Sequence, residues 1–205
     1  MMNEAVAPYR ATEIPEPPIA RFLFADTRLA IFWTIIRLYV GYEWLVAGWG
    51  KFTNPAGVWV GPKAGTAIVG FAQGALKKVS GDHPDVTGWY AAFLQNVVIP
   101  NAAFFSYVVT FGEILVGVGL IVGLFTGIAA FFGGLMNANY LLAGTVSSNP
   151  ILFILATWLV LAWRVAGYWG LDRWALRLLG VPGAPGTLFQ RRSPPPRPSP
   201  TSGQG

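Results

Sequence analysis

The chain has 205 residues, of which 54% are hydrophobic and 11% charged, well under the roughly 25% charged that a soluble domain carries. That deficit excludes a soluble globular surface, and apolar runs far longer than a strand exclude a membrane barrel. With a net charge of +5, no cysteine and the single histidine His83, the chain lacks the ligands for disulfides, thiol chemistry, iron–sulfur clusters, covalent haem attachment or a bis-histidine haem.

The fold class expected is all-α: an integral membrane four-helix bundle whose extracytoplasmic loop carries one or two interfacial helices. Residues 1–27 begin MMNEAVAPYRATEIPEPPIARF, with acids and prolines ahead of any apolar run. This is the reverse of a cleaved secretory signal, so the stretch reads as a retained cytosolic tail. The transmembrane domain covers 28–175. Its first span, about 29–49, is interrupted by Arg37 and Glu43 and is the weakest of the four. The roughly fifty residues that follow are too many for a simple connection and too apolar for disorder. Within them AGTAIVGFAQGALKKV (64–79) and TGWYAAFLQNVVIP (87–100) read as interfacial or lid helices, or as helices that merely cap the bundle. From 102 to 146 the only charge is Glu113, and the length is about twice a bilayer core. That predicts spans over 102–124 and 127–146, turning at Gly-Leu-Phe-Thr-Gly (123–127). The fourth span, 150–169, starts at Asn149-Pro150 and contains Arg164. Residues 176–205 end RRSPPPRPSPTSGQG, a proline-rich basic tail with the composition of extended disorder.

Arg10, Arg21, Arg28, Arg173, Arg177, Arg191, Arg192 and Arg197 flank the termini, against Lys51, Lys63, Lys77 and Lys78 in the long loop. The asymmetry puts both termini in the cytoplasm. The basic flanks face anionic lipid, so the expected partner is the bilayer and not nucleic acid. Trp33 and Trp169 then suit an inner interfacial belt and Trp49 an outer one.

Four ionisable groups fall inside predicted spans: Arg37, Glu43, Glu113 and Arg164. Each costs roughly 2.5–3.5 kcal/mol near the bilayer centre unless it pairs, protonates, snorkels or faces a cavity. Depth along the helices brings Arg37 and Glu113 to neighbouring levels and predicts an ion pair, either functional or a salt bridge that only sets helix register. Glu43 falls near the level of Asn139 and one to two turns below Lys51, forming a second polar level that opens outward. Arg164 is shallow enough to snorkel, or it belongs to the site. Asn137 and Asn139 either serve the site or hydrogen-bond between helices. Gly119, Gly123 and Gly127 form a G-x-x-x-G stripe that predicts close helix contact. His83, in SGDHPD, reads as an exposed loop residue.

The segments RLYVGYEWLVAGWGKFTNP, FGEILVGVGLIVGLFTG, MNANYLLAGTVSSNP and WRVAGYWGLDRW, in this order across about 28–175, resemble the DoxX/DoxD family of four-helix membrane proteins. The resemblance implies a quinone-linked role in the plasma membrane. Its DoxD branch, which the long outer loop favours, implies the membrane subunit of a thiosulfate:quinone oxidoreductase that joins two thiosulfates into tetrathionate. On that reading Arg37, Glu43 and Glu113 are the candidate catalytic residues. Lys51, with Lys63, attracts the dianion, and Trp44, Trp49, Asn137, Asn139, Tyr140 and Arg164 complete the substrate site. Quinone is a diffusible co-substrate, no bound metal or haem is expected, and electrons pass between substrates or through a second subunit or a second copy of the chain. The competing class is a non-enzymatic accessory or scaffold subunit, or a small-solute carrier, in which the same charges set register or line a pathway.

Overall fold

The computed structural model describes residues 16–181; the expectations for Arg10 and for the tail arginines Arg191, Arg192 and Arg197 lie outside them. All regular elements among the described residues are helical: α1 (Pro18–Ala25), α2 (Ala30–Phe52), α3 (Thr66–Leu76), α4 (Gly88–Phe93), α5 (Ala102–Val122), α6 (Thr126–Leu142), α7 (Asn149–Leu161), α8 (Trp163–Ala166) and α9 (Asp172–Leu178). A π-helical turn over Leu94–Val98 continues α4.

Two helical stretches, Thr27–Phe52 and Ala102–Val122, are long and apolar enough to cross a membrane. The helices expected over 127–146 and 150–169 are shorter, at 17 and 13 residues, against the roughly 20 that a bilayer core asks for. Gly144, at φ 67°, ends the path of α6. Ala162 leaves helical geometry at φ −88°, ψ 14° and splits the fourth element into α7 and α8. The solvent-facing surface nevertheless identifies a membrane protein. Ile31 and Ile35 of α2, Phe104 and Leu115 of α5, and Ile128 and Ile151 of α6 and α7 are all more than half exposed, whereas Arg37, Thr110, Glu113 and Asn137 are buried. Water would reverse that arrangement; a hydrocarbon solvent accounts for it.

The tail expected up to residue 27 folds at its end. Prolines at the start of α1 suit a first helical turn. The helix lies against α2, where the Leu23 carbonyl accepts the Trp33 indole N–H at 2.8 Å and Phe24 packs on the same ring. Trp33 is therefore buried at 3% exposure and does not belong to an interfacial belt; Trp169, at 58%, remains on the surface.

Glycine sets the register of the central α2–α5 pair, but not the glycines of the predicted stripe. Gly119, Gly123 and Gly127 do not share a helix: Gly123 takes φ 69° to end α5, and Gly127 lies on α6 against Trp163. The close approach is made by Gly41 against Leu120 and Ile121, Gly48 against Glu113 and Ile114, and Gly117 against Leu45. A Cβ on Gly117 would lie 2.5 Å from the Leu45 backbone nitrogen, so any side chain pushes the two helices apart. Gly117→Val is expected to yield little folded protein, read as loss of the monodisperse peak on size exclusion in detergent. A normal peak and melting temperature would refute this packing.

Loop helices α3 and α4 cap one end of the bundle through a second apolar core of Ile68, Ala72, Val86, Leu94 and Val98. Lys78 fastens them by donating to the Gly144 carbonyl at 2.6 Å, a cation at the exit of α6 where helix carbonyls lack partners. At the opposite end, the α5–α6 turn is capped almost completely. Gly119 O accepts from Leu124 N and Val122 O from Leu171 N, while Arg37 donates to the carbonyls of Leu120 and Ile121. Asp172, from α9, accepts from Phe125 N at 2.6 Å and Thr126 N at 2.9 Å. A buried cation thus sits at the C-terminus of α5 and a buried anion at the N-terminus of α6, each where the helix dipole favours it.

Candidate functional site

The ion pair predicted between Arg37 and Glu113 does not form. Because Gly48 opposes Glu113 and Gly41 opposes Leu120, Arg37, one turn before Gly41, reaches the last carbonyls of α5, about 11 Å along the axis from Glu113. Glu113 is 1% exposed and has other partners. α2 runs on to Phe52, which keeps Lys51 in helical register to reach back; its Nζ donates to Glu113 Oε2 at 2.6 Å. Tyr140, from α6, donates its hydroxyl to Glu113 Oε1 at 2.7 Å. Lys51 also stands 5.1 Å over the ring of Trp59, which the loop supplies. One carboxylate thus ties α2, α5 and α6 together on the side closed by α3 and α4, with each oxygen accepting a hydrogen bond.

This cluster sits in a cavity of about 1250 Å³. α3 and α4 close it from above with Phe71 and Tyr90. Between α5 and α6 its wall includes Leu115, Val118, Phe132 and Leu135, all also exposed on the outer surface, so it opens sideways between these two helices. In a membrane that mouth faces acyl chains.

The cavity gathers Glu43, Trp44, Lys51, Glu113, Asn137, Asn139 and Tyr140 from the residues singled out in the sequence. Glu43 is partly buried and has no hydrogen bond or ion pair among the described residues. Asn139 is held by its own helix, donating to Leu135 O at 2.8 Å, while its carbonyl accepts from the Tyr90 hydroxyl at 2.9 Å. Burial pushes that Tyr90 hydroxyl up to about 12, which keeps it a donor at any physiological pH. Asn137 is fully buried, and neither its amide nitrogen nor its oxygen has a partner among the described residues; the indole nitrogen of Trp44 is in the same position.

Four expected members, Arg37, Trp49, Arg164 and Lys63, stand apart. Arg37 serves the helix cap. Trp49 is 57% exposed and packs on Phe52. Arg164 is exposed and pairs with Glu16, because α8 turns its side chain toward the segment that leads into α1. Lys63 and His83 are exposed outside the cavity. The sequence reading missed Asp172, which looks like any flanking acid in GLDRW, and Trp59, whose loop carries no periodic signal.

Comparison with curated proteins and with solved structures yields no match. The DoxX family model matches residues 32–144, a stretch that contains Arg37, Glu43, Lys51, Glu113, Asn137 and Tyr140 and ends before Arg164 and Asp172. That match covers more than half of the chain, and with the apolar exterior and the segment order it establishes that this membrane protein belongs to the DoxX family.

Proposed function

We propose that the chain is the membrane subunit of a quinone-linked oxidoreductase, set in the plasma membrane through four spans. On this reading α2, α5, α6 and the α7–α8 segment cross the bilayer, the termini are cytoplasmic, and α3 and α4 lie on the outer side. The short third and fourth spans are accommodated by local thinning of the bilayer or by snorkelling flanks, and the arginine-rich ends support the orientation.

The observation that carries the reading is the lipid-facing cavity with a buried, hydrogen-bonded carboxylate at its inner wall. A quinone fits such a place: its ring and tail match apolar walls, and buried polar atoms without partners stand ready for its oxygens. When bound, it supplies an acceptor for two electrons and two protons. The protein's part is to position and to move protons. Glu113 accepts hydrogen bonds from a phenol and an ammonium, a chain along which a proton is passed toward the cavity, and Glu43 offers a second carboxylate on the same lining. Thiosulfate as the electron donor rests on the DoxD resemblance alone. The Lys51 charge expected to attract the dianion is matched by Glu113, so the cluster offers no net positive charge. The complete engagement of Glu113 favours a second reading, an accessory subunit in which the cluster holds three helices in register while a partner performs the chemistry.

The test is a titration of the purified protein in lipid nanodiscs with a short-tailed benzoquinone, followed by assay of its reduction with thiosulfate as donor. Saturable binding with thiosulfate-dependent reduction is expected. Binding without reduction would favour the accessory role or another donor, and absence of binding would overturn the quinone reading.

A further inference from the structure

Hydrogen-bond accounting separates the groups that are free to hold a ligand from those that are not. Lys51 and Tyr140 each point a donor at Glu113, and both carboxylate oxygens are occupied. Asn101, Asn139 and Asn149 each donate to the carbonyl four residues earlier, the usual way for such a side chain to satisfy itself at a helix. Asn137 departs from them. It is 0% exposed, lines the cavity, and leaves both its nitrogen and its oxygen without a partner among the described residues. Trp44, 3% exposed and also on the lining, leaves its indole N–H free in the same way. That N–H edge lies against Gly133, one helical turn from Asn137, and Gly133 makes room for it where a Cβ would come within 2.9 Å of Nε1. Buried polar groups without partners cost about 1–3 kcal/mol each, so two of them beside one cavity mark the place where something else completes them.

We propose that the Asn137 carboxamide and the Trp44 indole N–H hold one ring oxygen of the lipid-soluble ligand, while the opposite edge of its ring faces the Lys51–Glu113–Tyr140 cluster. Asn137 and Tyr140 are three residues apart on α6, about 4.5 Å along the axis and on one face. Both therefore line the same side of the cavity, within reach of one ring that lies along the helix. The amide also serves both redox forms: its N–H₂ donates to a carbonyl, and its own carbonyl accepts from a hydroxyl. Trp44 and Asn137 are thereby positioning residues, and the ligand class they select is an uncharged ring with carbonyl or hydroxyl oxygens. An anion is disfavoured, because no net positive charge faces it. The inference rests on the quinone reading of this cavity.

The experiment uses the full chain in nanodiscs and a short-tailed benzoquinone labelled with ¹³C at its carbonyls. In the parent protein the bound carbonyl stretch is expected to move to lower frequency than in lipid. Asn137→Leu is expected to abolish that shift and to weaken binding at least about tenfold, the equivalent of one lost hydrogen bond, with the melting temperature retained. Trp44→Phe, which keeps the aromatic volume nearest the backbone, is the second variant and decides the matter if Asn137→Leu does not fold. Unshifted carbonyl bands in a parent protein that binds quinone, as when water alone fills this station, would overturn the inference and leave the quinone reading standing. Unchanged affinity in both variants would do the same. A parent protein that binds no quinone removes the reading itself, and the inference with it.

Discussion

Glu113→Gln is expected to lower quinone-linked turnover at least about a hundredfold, the usual scale for losing a positioned acid–base group. Gln keeps the shape and still accepts from Tyr140, but it cannot exchange a proton, and it leaves the Lys51 ammonium without a countercharge. Breaking a buried pair from one side typically costs about 3–5 kcal/mol. Lys51, with its side chain 20% exposed, can draw on solvent, so the lower end of that range applies. Turnover alone therefore cannot distinguish a proton-transfer role from a register pair, and the double variant Lys51→Met/Glu113→Gln is needed. It removes both charges together, which is often neutral for stability, and keeps the Tyr140 hydrogen bond. The expected pattern is recovery of the melting temperature toward that of the parent with turnover still lost. Recovery of both would assign the cluster to helix register and support the accessory reading.

The partner of Glu113 shows where sequence reasoning stops. Apolar periodicity and the glycine-rich turn place the helices that carry Arg37, Glu113 and Tyr140, and the cost of burying charge identifies the residues that need partners. Pairing depends on how two antiparallel helices slide past each other. Here that is fixed by Gly41, Gly48 and Gly117 meeting side chains and backbone of the opposite helix, contacts that a pattern read along one helix does not encode. Counting depth from an assumed end at residue 49 placed Lys51 outside the span; three more residues of helix bring it inward to Glu113. Asn137 was legible as a polar residue in an apolar run, but its lack of any partner is visible only once its neighbours are in place. Asp172 was not legible at all, since its role is to cap a helix that begins 46 residues earlier, at Thr126.

Asp172→Ala is expected to destabilise the protein by about 3–5 kcal/mol, because it removes two charge-assisted hydrogen bonds at a site that is 2% exposed. Phe125 N and Thr126 N would be left without acceptors at the start of α6, the second of them in a buried position. Phe125 would also lose the contact that helps hold it at φ 49°, a conformation that is costly for a residue with a side chain. Asp172→Asn, which keeps an acceptor but not the charge, should lose roughly half as much. Unfolding in mixed micelles, followed by circular dichroism, measures both. Arg37 caps the adjacent helix end and lies within the field of the same carboxylate, so Arg37→Met should be comparably destabilising, and the double variant should fall short of the sum by about 1–3 kcal/mol. Strict additivity would mean that the two caps act independently; an Asp172→Ala change within about 0.5 kcal/mol of the parent would refute the cap. Because this end lies away from Glu113, the folded fraction of each variant should bind quinone as the parent does, and that separates the charges that hold the bundle from those that face its ligand.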